Sequence, residues 1–245
     1  MLGAEVLDDP RADPTAVRRT LRDIVRLNRL FGGTGAVEWG LRQLFRGSGM
    51  GEGGRVKRWT LVDVGTGAGD IPVAAVRLAR RYGIELVPIG VERISTAARD
   101  ARAAGLLAVL ADGNALPFAP RSVDVVIVSQ VLHHVPRDTA VRWIGALDRI
   151  ARRGVVLADL RRSRPAMAGM WLAAFPMGLD RTTRRDAVLS LQRGYTKREF
   201  EGMMREAGVL ATAHYRPIAR IVAAWEPDIR RQTSDLSKHP LTSDV

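Results

Sequence analysis

LVDVGTGAGDIP, residues 61–72, sets Gly65, Gly67 and Gly69 within five positions, after an apolar run and before a segment patterned as a helix. Glycine has no Cβ, so its backbone turns tightly and can come against a ligand. At a strand-to-helix turn such a bend marks a site for a nucleotide-like molecule. The dinucleotide fingerprint requires G-x-G-x-x-G, whereas residues 65–70 read Gly-Thr-Gly-Ala-Gly-Asp, so the third glycine falls one position early. A pyrophosphate also wants the positive helix end free of acid. Here Asp63 precedes the turn and Asp70 closes it, which suits a ligand with a positive amino group and no phosphate.

The surrounding pattern decides the fold. From Thr60 onward, apolar runs at 60–64, 84–91, 106–111, 123–129 and 154–160 alternate with helical patterns from Pro72, from a cap at Ser95 to a stop at Gly105, and after Asp138. Near-continuously apolar strands alternating with helices imply a parallel sheet covered on both faces. The expected fold is therefore α/β, a doubly wound Rossmann-like sheet. Towards the C-terminus Thr196 and Glu199 have capping-box spacing, Gly208 ends that helix, and VLATAHY (209–215) and ARIVAAW (219–225) should pair antiparallel. This predicts seven strands, mostly parallel, with one antiparallel strand near the C-terminus.

Before the sheet, Val17, Leu21, Ile24, Val25 and Leu30 have amphipathic helical spacing, and a second helix uses Val37, Leu41, Leu44 and Phe45. RGSGMGEGG, residues 46–54, is too glycine-rich for either element and reads as a linker. The expected organisation is a flexible N-terminus over 1–13, a helical lid and linker over 14–58, a catalytic domain over 59–231 and a flexible tail over 232–245.

Composition narrows the chemistry. The 245 residues contain no cysteine, which excludes disulfides and thiolate catalysis, and with four histidines no metal site is expected. The N-terminal residues lack a leader pattern and no run reaches a membrane span, so the expectation is a cytoplasmic protein. The net charge of +12 is spread along the chain, and only Lys57, Lys197 and Lys238 of the 38 basic residues are lysine. Without a run of like charge, nucleic acid is not the expected partner.

With these motifs in order, the sequence resembles the class I S-adenosylmethionine-dependent methyltransferases over about residues 58–225, in particular enzymes that methylate quinones, phenols and secondary metabolites. VDVGTGAGD resembles the family's first motif; the resemblance implies that Asp63 contacts the methionine part of S-adenosyl-L-methionine, above Gly65, Thr66, Gly67 and Gly69. IGVERI resembles the second, implying that Glu92, followed by Arg93, accepts from both ribose hydroxyls. LADGNALPF resembles the third, with Asp112 on the adenine amino group and the backbone of Gly113 and Asn114 at the ring. SVDVVIVSQVLHHV resembles the fourth, with Ser129 and Gln130 at the methionine end and His133 or His134 a candidate base.

The chain departs from the family pattern twice. LDRIARRGVVLADL passes from helix to strand with only Gly154 as a turn residue. Residues 161–195 are long and apolar, with Met167, Met170, Trp171 and Phe175 at helical spacing, and leave the strand end where ligands bind; they are read as a substrate cap. The expected function is in-line methyl transfer to a small aromatic or polyketide-like acceptor, most simply O-methylation, with imidazole available to take a proton near neutrality. An RNA or protein methyltransferase, a module that binds the cofactor without using it, and a homodimer stay open as alternatives.

Overall fold

The computed structural model describes residues 5–46, 56–173 and 181–228, with backbone alone for 170–173 and 181. Two helices, α1 (Pro14–Leu30) and α2 (Gly33–Arg46), precede β1 (Lys57–Val64). The chain then alternates through α3 (Asp70–Arg80), β2 (Ile84–Glu92), α4 (Ser95–Ala103), β3 (Leu107–Leu110), β4 (Val123–Ser129), α5 (Arg137–Ile150) and β5 (Ala151–Leu160). Helices α6 (Arg164–Ala173), α7 (Arg181–Arg193) and α8 (Lys197–Glu206) lead to β6 (His214–Arg216) and β7 (Arg220–Trp225).

The seven strands form one sheet in the order β3-β2-β1-β4-β5-β7-β6. The first five are parallel, and β7 runs antiparallel to both β5 and β6. This is the α/β Rossmann-like architecture expected from the alternation. β4 shows why its unbroken apolar run is needed: Val125 and Ile127 face a layer holding α2 and α3, while Val126 and Val128 face α5 and α8. Strand order reverses between β1 and β4, so the loops after these strands diverge and leave a crevice at the carboxyl edge.

Several expectations change. α2 is not lid: Ala36, Val37, Leu41, Leu44 and Phe45 are all buried against the sheet, making it a layer helix and leaving α1 over the crevice. Gly154 is not a turn residue either. α5 ends at Ile150 and β5 begins at Ala151, and Gly154 lies within the strand, where an added Cβ would come within 2.4 Å of Leu44 from α2. Its missing side chain is what lets α2 settle on the sheet. Residues 5–13, expected to fray, form a short 3-10 turn over Val6–Asp8 and then the Asp13 cap, whose carboxylate accepts from the amides of Thr15 and Ala16. Ser95 makes no cap bond; the amides before α4 are taken instead by the Glu92 carboxylate. The strand expected over 209–215 is paired only at His214–Arg216. No helix among the described residues is long and apolar enough to cross a membrane.

Gly40 gives a test of the α2 packing. A Cβ there would stand 2.5 Å from Val156 Cγ1, on a buried strand whose branched side chain has little freedom. Alanine favours a helix over glycine by about 1 kcal/mol, while overpacking a core costs about 1–3 kcal/mol. We expect overpacking to win: Gly40→Ala lowers stability by up to about 2 kcal/mol net in chemical denaturation. A stabilised variant would contradict the close approach of α2.

Candidate functional site

At the carboxyl edge of β1, β2, β4 and β5 lies a cavity of about 440 Å3, roofed by α1 and the 5–8 turn and closed at the side by α6 and α7. Its floor is the glycine turn. Gly65, Gly67 and Gly69 have φ of 75°, 54° and 79°, values that side chains rarely tolerate. The amides of Gly65 and Thr66 donate to the Val91 carbonyl and that of Gly69 to Thr66, so the bend is tied to β2 and to itself. A Cβ on Gly65 would meet Val131 at 2.5 Å and one on Gly69 would meet Leu106 at 3.1 Å, so both need glycine for space as well as angle.

Three acids converge on this floor. Asp63, 2% exposed at the end of β1, has its carboxyl driven up to about 7 by burial; the neighbouring Asp70 and Glu92 charges add to the rise, and the Thr66 hydroxyl opposes it. Asp70, the first residue of α3, is raised by burial against the bond it accepts from Asn28. Glu92 is oriented by backbone: one oxygen accepts from Gly67 N at 3.1 Å, the other from Arg93 N at 2.8 Å and Ile94 N at 3.1 Å. Buried acids with so little compensation favour a bound cation.

The remaining sequence candidates take different places. Asp112 is exposed at the mouth, its carboxylate accepting from both nitrogens of Asn114, whose own oxygen receives the Trp143 indole N–H at 3.0 Å. Gly113 lies on that indole, where a Cβ would come within 2.2 Å. Ser129 presents a buried hydroxyl with no partner among the described residues. Gln130, at φ 58°, donates to Asn28 and accepts from Arg220, so its side chain ties α1 to the sheet. Arg220 is 4% exposed, also donates to the Phe31 carbonyl, and burial lowers its guanidinium to about 10. Arg93 turns away from the floor and donates to the carbonyls of Leu7 and Asp8.

The two histidines differ. His133 is buried; its Nδ1 lies 2.6 Å from Asp159, and its Nε2 has no partner among the described residues. Asp159 also accepts from the amides of His133 and Leu160, which makes it a fixed anion at the end of β5. His134 stacks beside His133 with ring centres 4.1 Å apart, and its Nδ1 meets Asp8 at 2.8 Å. Asp159 was missed although it is the single acid in the apolar run VVLADL. Asn28, Asp8 and Glu5 carried no sequence signal, because only the return of α1 and the N-terminal turn over the sheet brings them here.

The cap contributes less apolar surface than expected. Ala166 and Gly169 of α6 reach the cavity, as do Thr183, Asp186 and Ser190 of α7, while the half-buried Met167 does not. The side chains of Met170 and Trp171, and Phe175 altogether, lie outside the described residues. The apolar wall comes instead from α1, through Leu21, Ile24, Val25 and Leu27.

Residues 62–158 match a family model described as a methyltransferase domain. No curated protein matches the chain. Among solved structures, a SAM-dependent methyltransferase from Aquifex aeolicus is 17% identical, with a TM-score of 0.58 over 89% of this chain and 100% of its own. Magnesium protoporphyrin IX methyltransferase from Synechocystis PCC 6803, with bound SAM, is 14% identical, with a TM-score of 0.56 over 91% of this chain and 95% of its own. Mitomycin 7-O-methyltransferase is 19% identical, with a TM-score of 0.59 over 91% of this chain and 61% of its own. The chain therefore shares the fold of these enzymes, and its residues 62–158 resemble a methyltransferase domain.

The buried acid makes a signed prediction. Asp63 is neutral in the folded chain up to about pH 7. Between the unfolded value near 3.8 and about 7, folding must take up a proton that the unfolded chain has already released, so stability is lost progressively across that window and the loss is complete above it. Asp63→Asn should therefore raise the Tm of the free protein at pH 8 by about 2–8 °C and change it much less at pH 4, close to the unfolded value. An equal effect at both pH values, read by scanning calorimetry, would contradict the assignment.

Proposed function

We propose that the protein transfers the methyl group of S-adenosylmethionine to a small acceptor, an aromatic or polyketide-like molecule methylated on a hydroxyl oxygen. The observation that carries this reading is the acid wall of Asp63, Asp70 and Glu92 around a turn of three positive-φ glycines, inside a chain with a methyltransferase domain. That wall disfavours phosphate and favours a ligand carrying an ammonium and a sulfonium. When bound, S-adenosylmethionine supplies an electrophilic methyl whose leaving group, a thioether, needs no acid.

Each residue then has a task. Glu92, already aligned by three amides, receives ribose hydroxyls; Asp63 and Asp70 receive the ammonium; the Gly113 backbone and Trp143 bound the adenine end. The roof of Leu21, Ile24, Val25 and Leu27 excludes water and gives a flat acceptor apolar contact, at about 25 cal/mol per Å2 buried. The His133 and His134 pair faces the acceptor's hydroxyl, with Asp159 fixing the His133 ring. An enclosed cavity beneath α1 also favours a small acceptor over RNA, which agrees with the scattered positive charge.

Two measurements test this. Glu92→Ala should weaken S-adenosylmethionine binding by about 1.5–3 kcal/mol in calorimetry, the worth of hydrogen bonds to a charged acceptor, with circular dichroism unchanged. Labelled methyl should pass to members of a phenol and polyketide panel. Unaltered affinity in folded Glu92→Ala removes Glu92 from the site, and transfer confined to structured RNA overturns the small-molecule reading.

A further inference from the structure

Both histidines at the acceptor end have their Nδ1 atoms facing carboxylates, His133 on Asp159 at 2.6 Å and His134 on Asp8 at 2.8 Å. An ionised carboxylate only accepts, so each Nδ1 carries a ring proton, and in the neutral imidazole the lone pair is then on Nε2. The His133 Nε2 is buried without a partner among the described residues, on a side chain 2% exposed. The His134 Nε2 stands 3.8 Å from Glu5 Oε2, too far for a hydrogen bond. One ligand atom from each of Glu5, His133 and His134 lies within 4.8 Å of the other two. With both Nδ1 atoms engaged, the donors these three residues keep for an ion are two imidazole lone pairs and a carboxylate oxygen, an electron-rich set that attracts a positive ion.

We propose that Glu5, His133 and His134 bind a divalent transition-metal ion at the acceptor end of the cavity. Two imidazoles and one carboxylate suit Zn2+, Fe2+, Co2+ or Mn2+ better than Mg2+ or Ca2+, which prefer oxygen alone. The outer partners are those of metal-bound histidines, which give their second ring N–H to a carboxylate; here Asp159 and Asp8 do so. Arg193 binds Glu5 Oε1 and Asp8, and Ser190 donates to Glu5 Oε2, so Glu5 is held in place with lone-pair capacity remaining on Oε2. Three carboxylates, Glu5, Asp8 and Asp159, outnumber the Arg193 and Arg220 charges beside them, so a cation is not opposed. The donors close on the ion by up to about an ångström to reach bonds of about 2.1 Å.

The chemical use of the ion rests on the methyl-transfer reading. With three protein ligands on one side, the positions left open face the cavity, where an acceptor hydroxyl coordinates. The ion withdraws electron density from that oxygen, its proton leaves to solvent, and the oxygen attacks as a metal-bound alkoxide or phenoxide. The histidines then act by holding the ion, and neither needs to take the proton.

The test begins with protein stripped by a chelator and dialysed, without S-adenosylmethionine. Titration with Zn2+ in a calorimeter should give one site per chain, and Co2+ should give visible d–d bands that excess Zn2+ abolishes. Glu5→Gln and His134→Gln should each weaken Zn2+ at least tenfold, and Asp159→Asn by about tenfold through the His133 ring. S-adenosylmethionine affinity within threefold of the parent value verifies the fold of each variant. Zn2+ affinity undiminished in both Glu5→Gln and His134→Gln, or no stoichiometric binding by the parent chain, overturns the site. Methyl transfer that persists in chelated protein removes the ion and leaves the transferase reading standing. Stoichiometric zinc without transfer to any panel member does the reverse.

Discussion

Everything at the carboxyl edge depends on where the Glu92 carboxylate is held. Its two oxygens collect Gly67 N from the turn after β1, and Arg93 N and Ile94 N from the turn after β2. One side chain thereby joins the two loops that diverge around a cofactor, and replaces the cap that Ser95 does not provide for α4. The arrangement concentrates negative charge, since Asp63 and Asp70 stand beside it, and part of the free protein's stability is spent keeping those acids buried. A cationic ligand relieves that strain, so affinity and the instability of the empty site have a common origin.

A second constraint holds the roof down. Asp70, Asn28, Gln130 and Arg220 form a chain of hydrogen bonds from the start of α3, through α1, to the loop after β4 and the first residue of β7. Arg220 also holds the Phe31 carbonyl, fixing the end of α1. Position of the roof is thus read at both ends of the floor. Because Asp70 belongs to the acid wall, a cation arriving there alters the partner of Asn28 and hence the grip on α1.

The sheet, the glycine turn, Glu92 and the motif order were legible in the sequence because each depends on local pattern: period, apolar continuity and glycine spacing within a dozen residues. What escaped depends on contacts across the chain. Gly154 reads as a turn glycine beside helix α5, and only the seat of Leu44 from α2 shows why it lacks a side chain. The segment of 5–13 looks frayed because GAEVLDDPRAD has no apolar period; Val6, Leu7 and Ala12 nevertheless pack on Val17, Leu21, Ile94 and Ala97, and polar bonds to Arg93, His134, Asp186, Ser190 and Arg193 add to that contact. Likewise α2, amphipathic like α1, gives no local sign that it packs on a face of the sheet while α1 lies over the crevice.

The polar bonds of residues 5–8 give the histidine end of the cavity a different character from the glycine-turn end. Val6 and Leu7 contribute apolar contact with Val17, Leu21, Ile94 and Ala97, but such contacts are non-directional and indifferent to what lies beneath. Hydrogen bonds to Arg93, next to Glu92, and to His134, next to His133, exist only when both turns are in place. Closure of residues 5–8 therefore reports on the turn after β2 and the turn after β4 together. Each such bond is worth about 0.5–1.5 kcal/mol net. The fold thereby sets a parallel-sheet floor under the cavity and a largely polar cover over one end of it, and places the only convergent pair of imidazoles among the described residues at the seam between them.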